Sequence, residues 1–294
     1  MSGKIVTKAK PYIMVAPAMA GIAVFTIYPI YKLISLSFYN TNLLNPSRTR
    51  FVGLENYTKV FAREAFSKSM INTTIYSFFM IVIVLSVSLL MAVWLGRKKS
   101  FTNSTVQVCI FTPHIISMVS VSLIWIWMMD PQFGLFNVML RSLNLPTSRW
   151  IRSSDSALGS IIFVAAWKSI GYYTLIFIAA LQGIPQEIYE AADLDKAGKV
   201  RTFFKITLPI ISPQIFFVLI IMTIGSFKVF ETIRVMTKGG PNNATMSIVY
   251  LIYDEVFAFS RIGYGAAVGV VLLVIVGFLV GLYFINLSKK VHYQ

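Results

Sequence analysis

The sequence is poor in the residue types on which disulfides, metal sites and most catalytic sites depend. It has one cysteine, Cys109, so it cannot form an intrachain disulfide. Its two histidines lie far apart in the sequence, which argues against a metal-ligand set or the nucleophile–base pair of an intramembrane enzyme. It also lacks a Gly-x-x-x-x-Gly-Lys-[Ser/Thr] motif, so the chain is not expected to hold ATP phosphates itself. We therefore expect no enzymatic activity and no bound cofactor or metal.

Charged residues are scarce as well, and acidic residues especially so. Only 13% of the residues are charged, whereas a soluble domain carries roughly 25%. Hydrophobic residues make up 56% of the sequence, and the mean hydropathy is +0.73, which makes lipid the expected solvent. The formal net charge is +15, but the basic residues lie in short clusters between apolar runs. That arrangement indicates membrane topology and headgroup contact rather than nucleic-acid binding.

Six apolar segments are long enough to cross a membrane, which takes roughly 20 residues. They are predicted to be helices, because open strands cannot satisfy their backbone hydrogen bonds in lipid. The first segment is too long for a signal peptide, contains two prolines and lacks a small-residue cleavage site, so we expect a permanent span. The predicted spans are Tyr12–Ser37, Ile71–Leu95, Val106–Met129, Leu158–Leu181, Ile206–Val229 and Tyr264–Leu287.

The distribution of lysine and arginine predicts the orientation of these spans. If the N-terminus is inside, the inner segments and the outer loops carry similar numbers of basic residues. The inner segments are much shorter, however, so their basic density is about twice as high, and short flanks weigh most in the positive-inside rule. We therefore expect a multi-pass chain with both termini in the cytoplasm.

A charged stretch, residues 183–209, separates the fourth and fifth predicted spans. Pro185 suits the first position of a helix, and Glu187 and Glu190 follow near its positive end. Gly198 offers a turn toward the fifth span. The stretch therefore indicates a short amphipathic hairpin on the cytoplasmic side, either a docking element for a basic groove or an ordinary solvated loop. The residues that can form its apolar face are Ile188, Ala191, Ala192 and Leu194.

This hairpin resembles the EAA loop of ABC importer permeases. Glu190-Ala191-Ala192 and Ile206-Thr207-Leu208-Pro209 match the family pattern with the family spacing. Lys196 replaces the family's usual glycine, so either Gly198 takes over the turn or Lys196 adopts a backbone conformation that costs about 1 kcal/mol. The residues for which the resemblance implies a role in coupling to an ATPase are Glu187, Glu190, Ala191, Ala192, Asp195 and Gly198.

Three further motifs, spread from the first outer loop to the sixth span, are similar to those of maltose-type sugar permeases. Each motif is short, but their joint order covers most of the chain. They are Phe51-Val52-Gly53-Leu54-Glu55-Asn56-Tyr57, Thr237-Lys238-Gly239-Gly240-Pro241 and Gly263-Tyr264-Gly265-Ala266-Ala267.

The resemblance implies the fold of a type I ABC importer permease, with one transmembrane domain over residues 1–294 and the coupling hairpin 183–209 within it. Permeases similar to this chain pair with a second, related permease and bind two copies of a cytoplasmic ATPase, which holds the ATP. An extracytoplasmic sugar-binding protein delivers the substrate. The implied function is ATP-driven import of a sugar or oligosaccharide across the plasma membrane of a prokaryote, with spans that rock as rigid units.

Polar and aromatic residues of the fourth and fifth spans are candidates for the sugar path, since a sugar needs hydrogen-bond partners and an aromatic platform. In similar permeases a Gly-Tyr segment of the fourth span and polar residues before the Gly-Gly-Pro turn line this path. We expect Tyr172 and at least one of Ser226 and Lys228 to face a central cavity. Lys228 and Glu231 are three residues apart and are expected to pair on one helix face. The candidates are Trp167, Tyr172, Tyr173, Thr174, Ser226, Lys228 and Glu231.

Several of these polar residues have simpler interpretations. Lysines in spans can snorkel to the outer headgroups, tyrosines can pack between helices, and a histidine that follows a proline can pack at a kink. The residues concerned are Lys32, Lys168, Lys228, Tyr172, Tyr173 and His114.

Other transporter classes remain as alternatives. An ABC permease for a polyol, a glycerol phosphate or a peptide would have a similar sequence, although the outer-loop motifs disfavour peptide and amino-acid types. An ion-coupled secondary transporter would usually show an inverted repeat and acidic residues at mid-membrane. The six predicted spans contain no aspartate or glutamate, and Glu231 lies at an edge.

Overall fold

The computed structural model describes residues 12, 14–42, 44, 47, 49–96 and 101–286, and most of these residues are helical. Five single helices are long and apolar enough to span a membrane, and a sixth candidate is a pair of helices with a sharp bend between them. The prediction of an all-α membrane protein is confirmed, while Leu287, the predicted end of the last span, lies outside the described residues. The spans are Met14–Ser37, Glu64–Leu95, the pair Phe101–Ile115 and Met118–Met128, Ala157–Gln182, Ser212–Met236 and Ile262–Asn286.

Helices and strands are labelled in chain order. The helices are α1 Met14–Ser37, α2 Glu55–Ala62, α3 Glu64–Leu95, α4 Phe101–Ile115, α5 Met118–Met128, α6 Leu135–Ser142, α7 Ala157–Gln182, α8 Gln186–Leu194, α9 Lys199–Thr202, α10 Leu208–Ile210, α11 Ser212–Phe227, α12 Glu231–Met236, α13 Ile248–Tyr253 and α14 Ile262–Asn286. Two short strands pair antiparallel, β1 Tyr39–Asn40 and β2 Arg50–Phe51. Wider π-helical turns occupy Ala23–Ile27 within α1, Phe203–Thr207 between α9 and α10, and Asp254–Ala258 after α13; Trp150–Arg152 forms a 3₁₀ turn.

Two of these π-helical turns end two residues before a proline, at Pro29 and at Pro209. A proline ring clashes with the carbonyl group four residues earlier, and its nitrogen cannot donate a hydrogen bond. In both places that carbonyl, of Phe25 or Lys205, lies within the wider turn. The wider turn gives each ring room, and at Pro29 the helix continues unbroken to Ser37.

The third span is not the continuous helix over Val106–Met129 that the sequence predicts. Pro113 lies inside α4 without a π-helical turn before it, α4 ends at Ile115, and α5 starts at Met118. The two helix axes are bent by 97°. Ser117, with φ −54° and ψ 137°, has the extended conformation that makes the corner. Sharp helix kinks usually lie at a proline, and the corner follows about one turn after Pro113, whose missing N–H removes one hydrogen bond from the end of α4.

Two other predicted span limits also shift. The second span begins at Glu64 rather than Ile71, and its exposed first turn carries the Glu64–Lys68 ion pair of 2.8 Å. Such pairs four residues apart favour helix. The fifth predicted span begins at Ile206, but the regular helix α11 starts at Ser212, because the π-helical turn and the short α10 precede it. The shift leaves a longer connection between the hairpin and the span.

Contacts divide the chain into two compact units, of which unit 1 comprises the described part of residues 12–63 and 252–273. Two of the sequence motifs meet in it. Gly263 lies so close to the Tyr39 carbonyl that a Cβ at position 263 would overlap its oxygen. Asn56 Nδ2 donates to the carbonyls of Ser37 and Tyr39 at 2.8 and 3.0 Å. These motif residues therefore fasten α2 and the start of α14 to the turn that follows α1.

A buried carboxylate holds another part of unit 1 together. Glu255, 5% exposed, accepts hydrogen bonds from Arg63 at 2.9 Å and Arg261 at 3.2 Å. The Arg63 guanidinium also lies over the Tyr264 ring, 4.4 Å from its centroid. Burying a carboxylate is costly unless it is paired and hydrogen-bonded, so these two arginines account for its position.

Unit 2 comprises residues 64–251 and the described part of 274–294. Its core lies where α3, α7 and α11 pack, around the fully buried Val84, Val164, Phe177 and Val218. The Ser88 hydroxyl on α3 donates to a carbonyl of α7 at 2.9 Å. Small residues dominate the buried side of α7, which lets neighbouring helices approach closely, as membrane helices commonly do. They include Ser160, Ala165, Ala166 and Gly171.

Candidate functional site

A cavity of about 250 Å³ lies among the spans of unit 2. Its wall is mixed: three methionines and two tyrosines provide apolar and aromatic surface, while hydroxyl groups and one ammonium group provide hydrogen-bond partners. Gly225 and Ala165 have small side chains that leave the space open. The lining residues are Tyr76, Met80, Met118, Ala165, Lys168, Ser169, Tyr173, Met222, Gly225, Ser226 and Thr232.

This combination suits a solute with both C–H faces and hydroxyl groups. Ser169 Oγ donates to the Ala165 carbonyl at 2.8 Å, and Ser226 Oγ donates to the Thr223 carbonyl at 3.1 Å. Each hydroxyl therefore donates its hydrogen bond within its own helix, and its oxygen lone pairs can still accept a hydrogen bond from a ligand. The flexible methionine side chains can adjust to different apolar shapes.

One wall of the cavity is fixed by contacts between α7 and the end of α4. Lys168 Nζ donates to the His114 carbonyl at 2.7 Å. The His114 ring stacks on Tyr172 with centroids 4.4 Å apart and planes 10° apart. Gly171 lies against the backbone of Ile110, where a Cβ would overlap the carbonyl oxygen. The close approach explains why this Gly-Tyr segment needs glycine at its first position.

The structure brings two of the seven pathway candidates into the cavity wall, Tyr173 and Ser226. Tyr172 is the neighbour that stacks on His114 instead. Trp167 is 39% exposed and packs edge-to-face on Trp125, and the buried Thr174 donates to a carbonyl of its own helix at 2.8 Å. The function of these residues as a sugar path stays a prediction.

The expected pairing of Lys228 with Glu231 on one helix face needs correction. Lys228 is the C-terminal cap of α11, and Glu231 opens α12 after a break at Phe230, whose φ and ψ are −142° and −57°. Because the helix is interrupted, three residues of spacing no longer place the two side chains on one face. Both are exposed and neither lines the cavity.

The predicted hairpin is present as α8, followed by a turn and the short α9. Lys196 has a positive φ of 51°. The Lys196 N–H donates to the Asp193 carbonyl and the Ala197 N–H to the Ala192 carbonyl, both at 3.0 Å. This is a Schellman motif, the turn that usually places glycine at the left-handed position. Of the two alternatives for the turn, the structure therefore has the one in which Lys196 takes the unfavourable conformation.

Gly198 does not make that turn. It precedes α9 with φ −65° and ψ 150°, an extended conformation that any residue adopts. Behind it, the Tyr189 hydroxyl lies 3.3 Å from Thr207 Oγ1 and links α8 to the stretch that leads into α11. The hairpin is thus a defined element with a tight turn at position 196.

The outer surface of the hairpin combines acidic and apolar side chains. Glu187, Glu190 and Asp195 are exposed, and no salt bridge within the described part of the chain involves them. Glu190 accepts a hydrogen bond from Gln186 at 2.9 Å. Of the two alanines, Ala191 is exposed and Ala192 is buried. The large apolar side chains that remain uncovered are Leu194, Val200 and Phe204, which are 84%, 72% and 61% exposed.

A protein-family model described as "Binding-protein-dependent transport system inner membrane component" matches residues 87–292. The chain belongs to this family. An arabinooligosaccharides transport system permease protein of Bacillus subtilis (strain 168), AraP, is 32% identical over 271 residues, which cover 92% of this chain and 85% of the relative. An sn-glycerol-3-phosphate transport system permease protein of Yersinia pestis bv. Antiqua (strain Antiqua), UgpA, is 33% identical over 290 residues, covering 97% and 96%.

A solved structure supports the same architecture. A chain in the crystal structure of a bacterial alginate ABC transporter in complex with a periplasmic protein superimposes with a TM-score of 0.85 and 22% sequence identity, covering 99% of each chain. The permease therefore has the fold of a type I ABC importer permease, as the resemblance implies. It is a membrane-embedded transport component and not an enzyme.

Sequence reasoning missed several residues that the permease places in its cavity wall. Lys168 could have been identified from the sequence, because an ionisable residue within a membrane span usually marks a functional position. The methionines at 80, 118 and 222 gave none, since methionine is a common packing residue on any apolar helix. Tyr76 likewise looks like ordinary core, and only its position in three dimensions connects it with α7 and α11.

Proposed function

We propose that the permease forms half of the translocation pathway of an ATP-driven importer of sugars or oligosaccharides. A second homologous permease supplies the other half, a dimer of ATP-binding subunits binds on the cytoplasmic side, and an extracytoplasmic sugar-binding protein delivers the substrate. The chain acts as one transmembrane domain over residues 1–294 in the plasma membrane of a prokaryote, with both termini in the cytoplasm. ATP is bound by the partner subunits, and the permease itself needs no cofactor.

The observation that carries this proposal is the mixed polar and methionine-lined cavity within the spans of unit 2. Buried polar groups in a membrane are costly unless they are paired or serve a ligand or a wet path. At about 250 Å³ the cavity is slightly smaller than typical ligand pockets, which measure roughly 300–1,000 Å³. It therefore fits one sugar unit at a time, which suits a path that must release what it admits. The arabinooligosaccharide permease among the relatives supports this solute class.

The hairpin is the proposed coupling element. Glu187, Glu190 and Asp195 would face a basic or polar groove of the ATPase. Their exposure, with no salt bridge to any other residue that the structure describes, supports this role. The uncovered Leu194 and Val200 add apolar surface that a partner would bury. Ala191 would allow close approach, while Ala192 and Gly198 would shape the hairpin around it.

A glycerol phosphate is the second candidate solute. The glycerol-phosphate permease relative matches nearly the whole chain. In addition, the cavity wall carries the Lys168 ammonium and no carboxylate. An ammonium is a common partner of phosphate groups.

Transport by the assembled complex tests the proposal. The permease, its partner permease and the ATPase would be reconstituted into liposomes with ATP inside and the binding protein and a labelled solute outside. We expect ATP-dependent uptake of arabinooligosaccharides to exceed that of sn-glycerol 3-phosphate, and no uptake with a hydrolysis-dead ATPase. Uptake of glycerol phosphate alone would favour the second solute class.

Two further results would contradict the proposal altogether. Uptake that follows an ion gradient and needs no ATP would indicate a secondary transporter. ATP hydrolysis by the purified permease alone would contradict the assignment of ATP binding to the partner subunits.

A further inference from the structure

Lys168 lies deep within a membrane span. It is the twelfth of the 26 residues of α7, roughly 16 Å from the start of the helix at 1.5 Å per residue. From there the ammonium cannot simply extend to the outer headgroups, as the snorkelling interpretation requires. An ammonium at this depth is costly without a partner. The structure supplies one, the His114 carbonyl at 2.7 Å.

The acceptor, the His114 carbonyl, lies at the end of a helix. His114 is the second-last residue of α4, next to the 97° bend. The last carbonyl groups of a helix have no partners within it and carry the negative end of the helix dipole. At a helix end within the hydrocarbon region, lipid cannot satisfy them. A cation from a neighbouring span is therefore the electrostatic complement of this helix end.

The hydrogen bond between Lys168 and His114 lies beside the cavity. Lys168 lines the cavity from α7, and Met118, the first residue of α5, lines it from beyond the bend. Two further contacts hold the end of α4 on α7: the His114–Tyr172 stack and the close approach of Gly171 to Ile110. The direction of α5, and with it the position of Met118, depends on how firmly this end is held.

We propose that Lys168 is a positioning residue of the pathway: its bond to the His114 carbonyl holds the bend of the third span and thereby fixes the α5 wall of the cavity. The proposal goes beyond the solute class, because it concerns the shape of the path rather than what passes through it. It separates Lys168 from a residue that binds the solute directly.

Spin-label distances across the bend test the proposal. The native Cys109 on α4 is exposed and accepts one label, and Leu123→Cys on α5, where the leucine is 58% exposed, accepts the other. In lipid nanodiscs we expect Lys168→Met to shift or broaden the distance distribution between the two labels. Lys168→Arg, which keeps a cationic donor, should keep the parent distribution. Lys32→Met is the matched control, because Lys32 lies in another span, where its ammonium is placed over the Tyr28 ring.

Transport by the same variants gives an independent readout. We expect Lys168→Met to lower the maximal uptake rate at least tenfold, with a smaller change in the substrate concentration at half-maximal rate, and Lys168→Arg to restore most of the rate. If Lys168→Met does not fold, Lys168→Gln keeps a neutral donor and should give an intermediate distance distribution. An unchanged distribution in Lys168→Met or Lys168→Gln would overturn the proposal, and a reduced uptake rate beside it would assign Lys168 to the solute. The distances report on the bend whether or not the solute is a sugar.

Discussion

The contact between α4 and α7 gives a quantitative prediction for Gly171→Ala. A Cβ at position 171 would overlap the carbonyl oxygen and carbon of Ile110, which are backbone atoms and cannot rotate away. The two helices must therefore separate, and overpacking of this kind costs about 1–3 kcal/mol. Replacing glycine by alanine in a helix also gains about 1 kcal/mol of propensity, so the net effect of Gly171→Ala alone is small to moderate.

Gly277→Ala isolates the packing cost. Gly277 lies inside α14 and a Cβ there meets nothing within 4 Å, so this variant has the propensity gain without the overlap. The difference between the two variants should equal the packing cost, about 1–3 kcal/mol. At about 2–4 °C per kcal/mol, Gly171→Ala should melt several degrees below Gly277→Ala. The assay is the temperature at which each variant in detergent loses its monodisperse size-exclusion peak. Equal melting temperatures would refute the close approach.

Three more predictions follow from single positions. Lys196→Gly removes a left-handed lysine conformation that costs about 1 kcal/mol, so exchange of the Ala197 amide hydrogen should slow about fivefold. The control Gly198→Ala should leave that exchange rate unchanged. An unaltered rate in both variants would contradict the turn at Lys196. Glu190→Lys should leave ATP hydrolysis by the complex but abolish uptake; normal uptake would show that the hairpin does not dock through this acid. Glu255→Gln should lower the melting temperature by the equivalent of about 1–3 kcal/mol, because two arginines lose a charged partner. The side chains of these arginines are 37% and 47% exposed, which limits the loss of stability. An unchanged melting temperature would mean that the two ion pairs add no stability.

Much of the architecture could be predicted because the membrane restricts what a sequence can do. A run of about 20 apolar residues has few stable outcomes other than a spanning helix. Motifs that contain a glycine were informative too: Gly263 and Gly171 each lie against a backbone carbonyl, which a larger residue would push away. Such positions leave a signal in a single sequence.

The sequence alone did not predict where the third span bends. Pro29 and Pro209 each follow a π-helical turn, whereas Pro113 does not and is followed by the 97° bend between α4 and α5. The sequence alone does not show which proline a wider turn accommodates and which one precedes a bend. At the end of α4, the His114 carbonyl accepts a hydrogen bond from Lys168, which lies 54 residues away in the chain.

Neighbouring residues set another limit. Tyr172 and Tyr173 are adjacent, and successive residues of a helix point about 100° apart at 3.6 residues per turn. The sequence identified the cluster, but only the packing of α4 decides that Tyr172 stacks on His114 while Tyr173 lines the cavity. Exposed elements such as the hairpin posed the opposite problem: their local pattern was clear, and the partner that would give them a role is a separate chain.

The lysine inside α7 also bears on how the chain enters the bilayer during synthesis. A lysine at the centre of a helix raises its apparent insertion free energy by about 2.5–3.5 kcal/mol, and α7 has a mean hydropathy of 1.7, against 2.8 for α3 and 2.9 for α14. We therefore expect this helix alone to insert less favourably than α3 or α14. The carbonyl that accepts its ammonium group belongs to α4, which leaves the ribosome first. The order of the helices in the gene thus ensures that the acceptor is already in the membrane when the charged span arrives.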